Sequence, residues 1–180
     1  MNIILIDGGH SARDSGAIGA DGTLEKDANL HFSLLLGEAL SRLDPTLDIR
    51  YTRQDDSALS LKERVEIEHR LSPNLFISVH CNASDTKKGS GFEVYYSSTK
   101  GQTVANSILA EVQKDFNIHG VGVFKKDFYV LKYTKSIAVL LELFFIDNLE
   151  DSKILDDVVR STLLVQQIVQ GVMSTSNIWT

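Results

Sequence analysis

Cysteine is all but absent: Cys81 stands alone in 180 residues, which excludes an internal disulfide framework and a cysteine-rich zinc finger. Any metal site must therefore be built from histidine and carboxylate. Proline is nearly as scarce, at Pro45 and Pro73, and no low-complexity tract, charge block or repeat interrupts the chain, so nothing reads as a linker. A single domain over residues 1–180 is expected. Basic charge is short as well: 18 Lys and Arg against 24 Asp and Glu leave a formal net charge of −6, with no footprint for a phosphate backbone or an anionic membrane. The amino terminus, Met1 to Asp7, has no basic n-region, and its apolar run is too short for a signal peptide or a membrane span. Neither nucleic acid nor membrane insertion is expected, and a monomer is the expected state.

What is present is an alternation of short apolar runs with longer amphipathic stretches, the pattern of an α/β sheet protein. Residues 3–7 read as a first strand, and residues 25–43 as a helix carrying Ala28, Phe32, Leu35, Leu36, Ala39 and Leu43 on one stripe. Residues 47–52 read as an edge-like strand. Ser60 and Glu63 form a capping box, so a helix starts there and stops before Pro73. The run 75–80 is nearly continuous in apolar residues, as a strand buried on both faces requires. Further strands are expected at 91–96 and 137–143, helices at 101–116 and 156–173, and a loop or short-strand region over 117–136.

In such sheets, sites form at the carboxyl ends of the strands. His10 lies three residues past the first strand, after Gly8 and Gly9, and Glu25 opens the first helix. His80 ends one buried strand and Glu142 lies near the end of another. A charged carboxylate inside the run 139–144 would cost several kcal/mol, roughly, unless it is paired, protonated or set at a cleft. Two imidazoles and one carboxylate are the donor set of a catalytic zinc site, and His10, Glu25 and His80 supply it. Glu142 is then the candidate to take a proton from water and return it to a leaving nitrogen.

Spacing alone makes this a weak signal, since no compact HExxH is present. The surrounding segments are stronger: Ile6-Asp7-Gly8-Gly9-His10, Gly16-Ala17-Ile18-Gly19, residues 25–30 beginning Glu25-Lys26-Asp27, Tyr51-Thr52-Arg53, Ser60-Leu61 with Arg64-Val65, residues 75–83 containing His80, residues 91–96, residues 128–131 and Leu141-Glu142-Leu143. Together and in this order they resemble the N-acetylmuramoyl-L-alanine amidase family of cell-wall lytic enzymes, of the zinc-dependent Amidase_3 type, from Ile3 to about Val172. The resemblance implies a twisted, mostly parallel (mixed) six-stranded sheet flanked by helices and one Zn2+ ion. It also implies hydrolysis of the amide joining N-acetylmuramic acid to L-alanine in bacterial peptidoglycan. By position, His10, Glu25 and His80 match the family's zinc ligands and Glu142 its catalytic glutamate. Gly8 stands where proline is usual, Ser11 where glycine is usual, and Phe144 and Asp147 where small residues are common. Of these, Phe144 is expected to narrow or reshape the cleft beside Glu142.

Blander readings exist for each residue. The histidines could cap strand ends, Glu25 could answer a helix dipole with Asp27 competing as ligand, and Glu142 could pair with a basic residue such as Arg64. Asn82 divides evenly between an Asx turn and a substrate contact. Cys81 should face away from His80 as a small buried hydrophobe, and His31, His69 and His119 carry no supporting context. The aromatic and basic stretch 125–132 is a candidate cleft wall. A zinc exopeptidase would need a cationic pocket for a terminal carboxylate, and the sequence gives no reason to expect arginines clustered there. A non-catalytic wall-binding module would be expected to lack at least one of the four residues. The lack of a signal suggests a phage-type lysin or an excised catalytic domain of a secreted protein. The segment 84–90 is too short for an inhibitory helix of the kind some periplasmic members insert there, so an open site is expected. The purified chain should then degrade cell wall with no partner protein added; activity that appears only on adding one would contradict this.

Overall fold

The computed structural model describes residues 2–116, 120 and 122–180, and shows a single α/β domain around one six-stranded sheet. Strands β1 (Ile3–Gly8), β2 (Asp48–Tyr51), β3 (Leu75–Asn82), β4 (Glu93–Tyr96), β5 (Gly122–Lys125) and β6 (Ile137–Phe145) are ordered β2-β1-β3-β6-β4-β5. The first four in that order run parallel, β4 is antiparallel to β6, and β5 is parallel to β4. Helices are α1 (Glu25–Leu43), α2 (Leu61–Leu71), α3 (Thr99–Asp115), α4 (Tyr129–Lys132), α5 (Leu149–Asp156), α6 (Val158–Met173) and α7 (Ser176–Trp179).

The chain leaves β1 for β2 on one side and returns for β3 on the other. The crevice between the ends of β1 and β3 is thus the topological switch point, where open α/β sheets place their sites.

Strand alternation splits the core in two. Ile4, Ile6, Ile77, Val79, Leu141 and Val94 point to the face covered by α1, α3 and α6. Leu5, Phe76, Ala138 and Leu140 point to the face covered by α2 and α4, where Val65, Val130 and Leu131 meet them. Polar residues at the carboxyl ends continue this second face. His80 is paired in register with Glu142, and Glu142 with Glu93.

Local signals set several boundaries. Ser60 and Glu63 exchange both bonds of the capping box, and α2 ends on Ser72 at φ 47°, just before Pro73. The expected closing helix at 156–173 is α6, which begins at Val158 because Asp157 leaves helical geometry and caps it by accepting the Arg160 amide with its side chain; the separate short helix α5 before it had not been expected. Asn148 caps α5 in the same way. Within 117–136 the chain forms β5 and α4; His119 lies outside the described residues.

The expectation for Phe144 fails. His80 pairs with Glu142 but Asn82 with Phe145, so an extra residue is inserted near the end of β6, and Phe144 takes φ 62° there. This bulge turns its ring away from Glu142 into the core, where it is fully buried with centroids 6.1 Å from Phe92 and 5.8 Å from Phe116. Phe144→Ala should therefore cost about 3–5 kcal/mol of unfolding free energy, measured in urea, without altering the cleft.

Candidate active site

The four sequence-predicted residues converge at the switch point. His10 follows β1, Glu25 is the first residue of α1, and His80 and Glu142 are neighbours on β3 and β6. His10 Nε2 lies 3.1 Å and His80 Nδ1 3.2 Å from the same Glu25 oxygen, Oε1. One ligand atom from each of the three lies within 4.8 Å of the others, as needed to hold a metal ion.

Each donor is held by others. Asp14 Oδ2 meets His10 Nδ1 at 2.7 Å, which leaves Nε2 to face Glu25. Glu25 accepts the Ala17 amide at 2.9 Å and the Asn29 side-chain amide at 3.2 Å. Gly9 permits the approach of His80, since a Cβ there would sit 2.2 Å from the imidazole.

Beneath the site lies a buried ion pair, Asp7 with Arg64, exposed by only 1% and 2%. Asp7 also accepts the hydroxyls of Thr52 at 2.6 Å and Ser78 at 2.8 Å. Arg64 donates to the carbonyls of Gly8 at 2.7 Å and His10 at 2.6 Å. Arg53 donates to those of Gly8 and Gly9, each at 2.9 Å. Two guanidinium groups thus hold three successive carbonyls, which places the His10 ring. Arg64 pairs with Asp7, not with Glu142. Sequence reasoning left Asp7 and Arg53 without a role; an aspartate closing an apolar strand was the available signal.

Electrostatics separate the carboxylates. Burial alone would raise Glu25, but hydrogen bonds from His10 and His80 outweigh it and hold the carboxyl far below its ordinary range. Burial also disfavours a charged His10, yet Glu25 and Asp14 raise the imidazole to about 9. Glu142 is the reverse case: burial pushes its carboxyl up to about 7, against the charge of His80 and with help from Glu25 and Glu93. Its Oε2 is buried with no hydrogen-bond partner among the described residues, so it has an unmet need for a donor.

A cleft of about 420 Å³ opens beside these groups, lined by His10, His80, Arg13, Leu59, Leu61 and Val130. Of the two readings of Asn82, the Asx turn does not form: its side-chain amide donates to Glu93 at 2.9 Å and its side-chain oxygen accepts from the adjacent Ala83 amide. Asp27 is exposed and lies 3.4 Å from Lys26, apart from the histidines. Cys81 is buried in the core opposite, as expected, and burial pushes its thiol up.

The family model for N-acetylmuramoyl-L-alanine amidase matches residues 4–174. N-acetylmuramoyl-L-alanine amidase LytC of Bacillus subtilis (strain 168) is 35% identical over 177 residues, which is 95% of this chain and 35% of LytC. This chain therefore spans about a third of that relative. The uncharacterized protein YqiI of the same organism is 33% identical over 177 residues, covering 95% of this chain and 83% of YqiI. Among solved structures, the catalytic domain of CwlV, an N-acetylmuramoyl-L-alanine amidase from Bacillus (Paenibacillus) polymyxa var. colistinus, superposes with a TM-score of 0.91. The match has 31% identity and covers 99% of each chain.

The Asp7–Arg64 pair makes a prediction of definite sign. Burial would raise the Asp7 carboxyl, but Arg64, Thr52 and Ser78 more than offset this and hold it below its ordinary 3.8. A depressed folded-state pKa contributes stability that is present above the unfolded value and lost as pH falls through the folded value. Arg64→Met should cost about 3–5 kcal/mol at neutral pH, because it leaves a buried charge unpaired. Asp7 is then governed by burial, its pKa rises, and the deficit against wild type should shrink on acidification. Urea unfolding at neutral and acid pH measures both effects, and a deficit that does not change with pH would contradict the account.

Proposed function

This chain belongs to the N-acetylmuramoyl-L-alanine amidase family, and from that premise we propose that residues 1–180 act as a zinc-dependent catalytic domain. Its reaction is hydrolysis of the amide between N-acetylmuramic acid and L-alanine in peptidoglycan. The observation that carries the reading is the convergence of His10 and His80 on one oxygen of Glu25, with the unpartnered Glu142 Oε2 on the adjoining strand. The donor set fits zinc: two imidazole nitrogens and a carboxylate kept ionised, with the Asp14 carboxylate orienting His10.

A zinc ion held by His10, Glu25 and His80 would supply Lewis acidity at the scissile carbonyl and lower the pKa of the attacking water. The remaining chemistry belongs to side chains of this protein. Glu142 in its carboxylate form takes a proton from water as the water oxygen bonds to the lactyl carbonyl carbon. It then returns that proton to the alanine nitrogen as the C–N bond breaks, so the amine leaves neutral. A carboxyl raised toward neutrality by burial suits both halves of this transfer. Asp14, Asn29 and Arg64 do no chemistry; they fix the ligands and the His10 backbone. Asn82 is assigned a lesser part as a substrate contact alongside Glu93. The bacterial wall is the partner in this reading and a monomer the working form; no helix among the described residues is long and apolar enough to cross a membrane.

Purified peptidoglycan incubated with the protein and zinc should yield newly freed L-alanine amino groups. A chelator should abolish the yield and added zinc restore it. Glu142→Gln should lower kcat by about 10²–10⁴-fold while zinc binding, measured by calorimetry, persists. Amines released equally with and without chelator would overturn the zinc reading, and an intact wall under all conditions would overturn the activity.

A further inference from the structure

The sheet face that carries His80 and Glu142 does not end at Glu142. Register extends it outward in two rows. One row runs His80, Glu142, Glu93, Gly122, and the row behind it Ser78, Leu140, Tyr95, Phe124. Glu93 accepts the Tyr95 hydroxyl at 2.6 Å through Oε2, the oxygen that also takes the Asn82 amide. The Tyr95 ring packs against Phe124 at 5.7 Å and Phe128 at 5.0 Å between centroids. Gly122 makes this shelf possible, for a Cβ there would fall 2.2 Å from the Phe124 ring, which folds back across the strand. Phe124 is 42% exposed and Phe128 39%, although both rings already pack on one side. Phe128 lies on the stretch 125–132, whose aromatic and basic composition marked it as a candidate cleft wall.

An open aromatic surface bordered by a carboxylate matches one ligand chemistry better than others. The axial C–H bonds of a pyranose carry slight positive charge and stack on the negative face of an aromatic ring. Sugar hydroxyl and acetamido N–H groups donate to a carboxylate in charge-assisted bonds. Phe124 lies two strands across and one row behind Glu142, about 12 Å at the usual spacings, so a ring stacked on it would be a neighbour of the sugar at the reacting bond.

We propose that Glu93, Tyr95, Phe124 and Phe128 form a subsite for a neutral N-acetylated sugar of the glycan strand, adjoining the sugar at the scissile amide. The identity of that strand rests on the amidase reading; the sugar chemistry rests on the shelf itself. Phe124→Ala and Phe128→Ala truncate exposed rings, and Val159→Ala, on an exposed position of α6, serves as control.

The test uses a peptide-free tetramer of β-1,4-linked N-acetylglucosamine, titrated calorimetrically into each protein. Wild type and Val159→Ala should bind alike, and the two phenylalanine variants about five- to tenfold more weakly, in line with one lost aromatic contact. With zinc present, each phenylalanine variant should show a rise in KM for glycan strands, relative to a single-sugar muramyl peptide, larger than any fall in kcat. Unchanged unfolding midpoints would establish that the variants are folded. Tetramer binding that ignores both substitutions, or is absent from wild type, overturns the subsite. So does a sugar-free stem peptide that competes for it. Tetramer binding that depends on Phe124 without any release of amines would uphold the subsite and overturn the amidase reading instead.

Discussion

Everything at the carboxyl edge of this sheet depends on the buried pairing of Asp7 with Arg64. An ion pair placed there costs desolvation that apolar residues would avoid, and what it provides is direction. Arg64 is anchored by Asp7 and spends its remaining donors on the carbonyls of Gly8 and His10, while Arg53 takes Gly8 and Gly9. A loop leaving β1 would otherwise turn freely, and the His10 backbone, at φ 58°, would not be held where Asp14 and Glu25 meet its ring. The proposed metal ligands thus rest on main chain held by charge.

A second constraint is register. Parallel pairing of β3 with β6, and antiparallel pairing of β6 with β4, line up His80, Glu142 and Glu93 across three strands on one face. Just beyond Glu142 the bulge at Phe144 ends the regular ladder, sends that ring into the core and lets β6 finish as a turn. Asp151 of α5 then accepts the amides of Gly91 and Phe145, which fastens the start of β4 to the end of β6. Through this bond the α5 segment, remote from the cleft, sets where Glu93 stands relative to Glu142.

Much of this was legible in the sequence, and for identifiable reasons. The apolar runs at 75–80 and 137–143 could be buried only as central strands, so His80 and Glu142 stood out as polar residues where polarity is expensive. The capping box at Ser60 and Glu63 marked α2 to the residue, because a cap is decided by neighbours three positions apart. By contrast, α5 was missed. Its eight residues are too few for a helical stripe to stand out, and its start is set by the Asn148 side chain, which accepts the amides of Glu150 and Asp151.

What the sequence by itself determined was local: the α/β order, the starts of α1 and α2, and four polar candidates, His10, Glu25, His80 and Glu142, marked by their places at strand ends and a helix start. Tertiary structure alone decided that Arg64 pairs with Asp7 and not with Glu142, that Phe144 faces the core, and that Glu93 adjoins Glu142 with an aromatic shelf beyond it. Those outcomes hang on strand pairing and on one bulged residue. Because a shift of a single position sends every side chain of a strand to the opposite face, no pattern along the chain could have settled them.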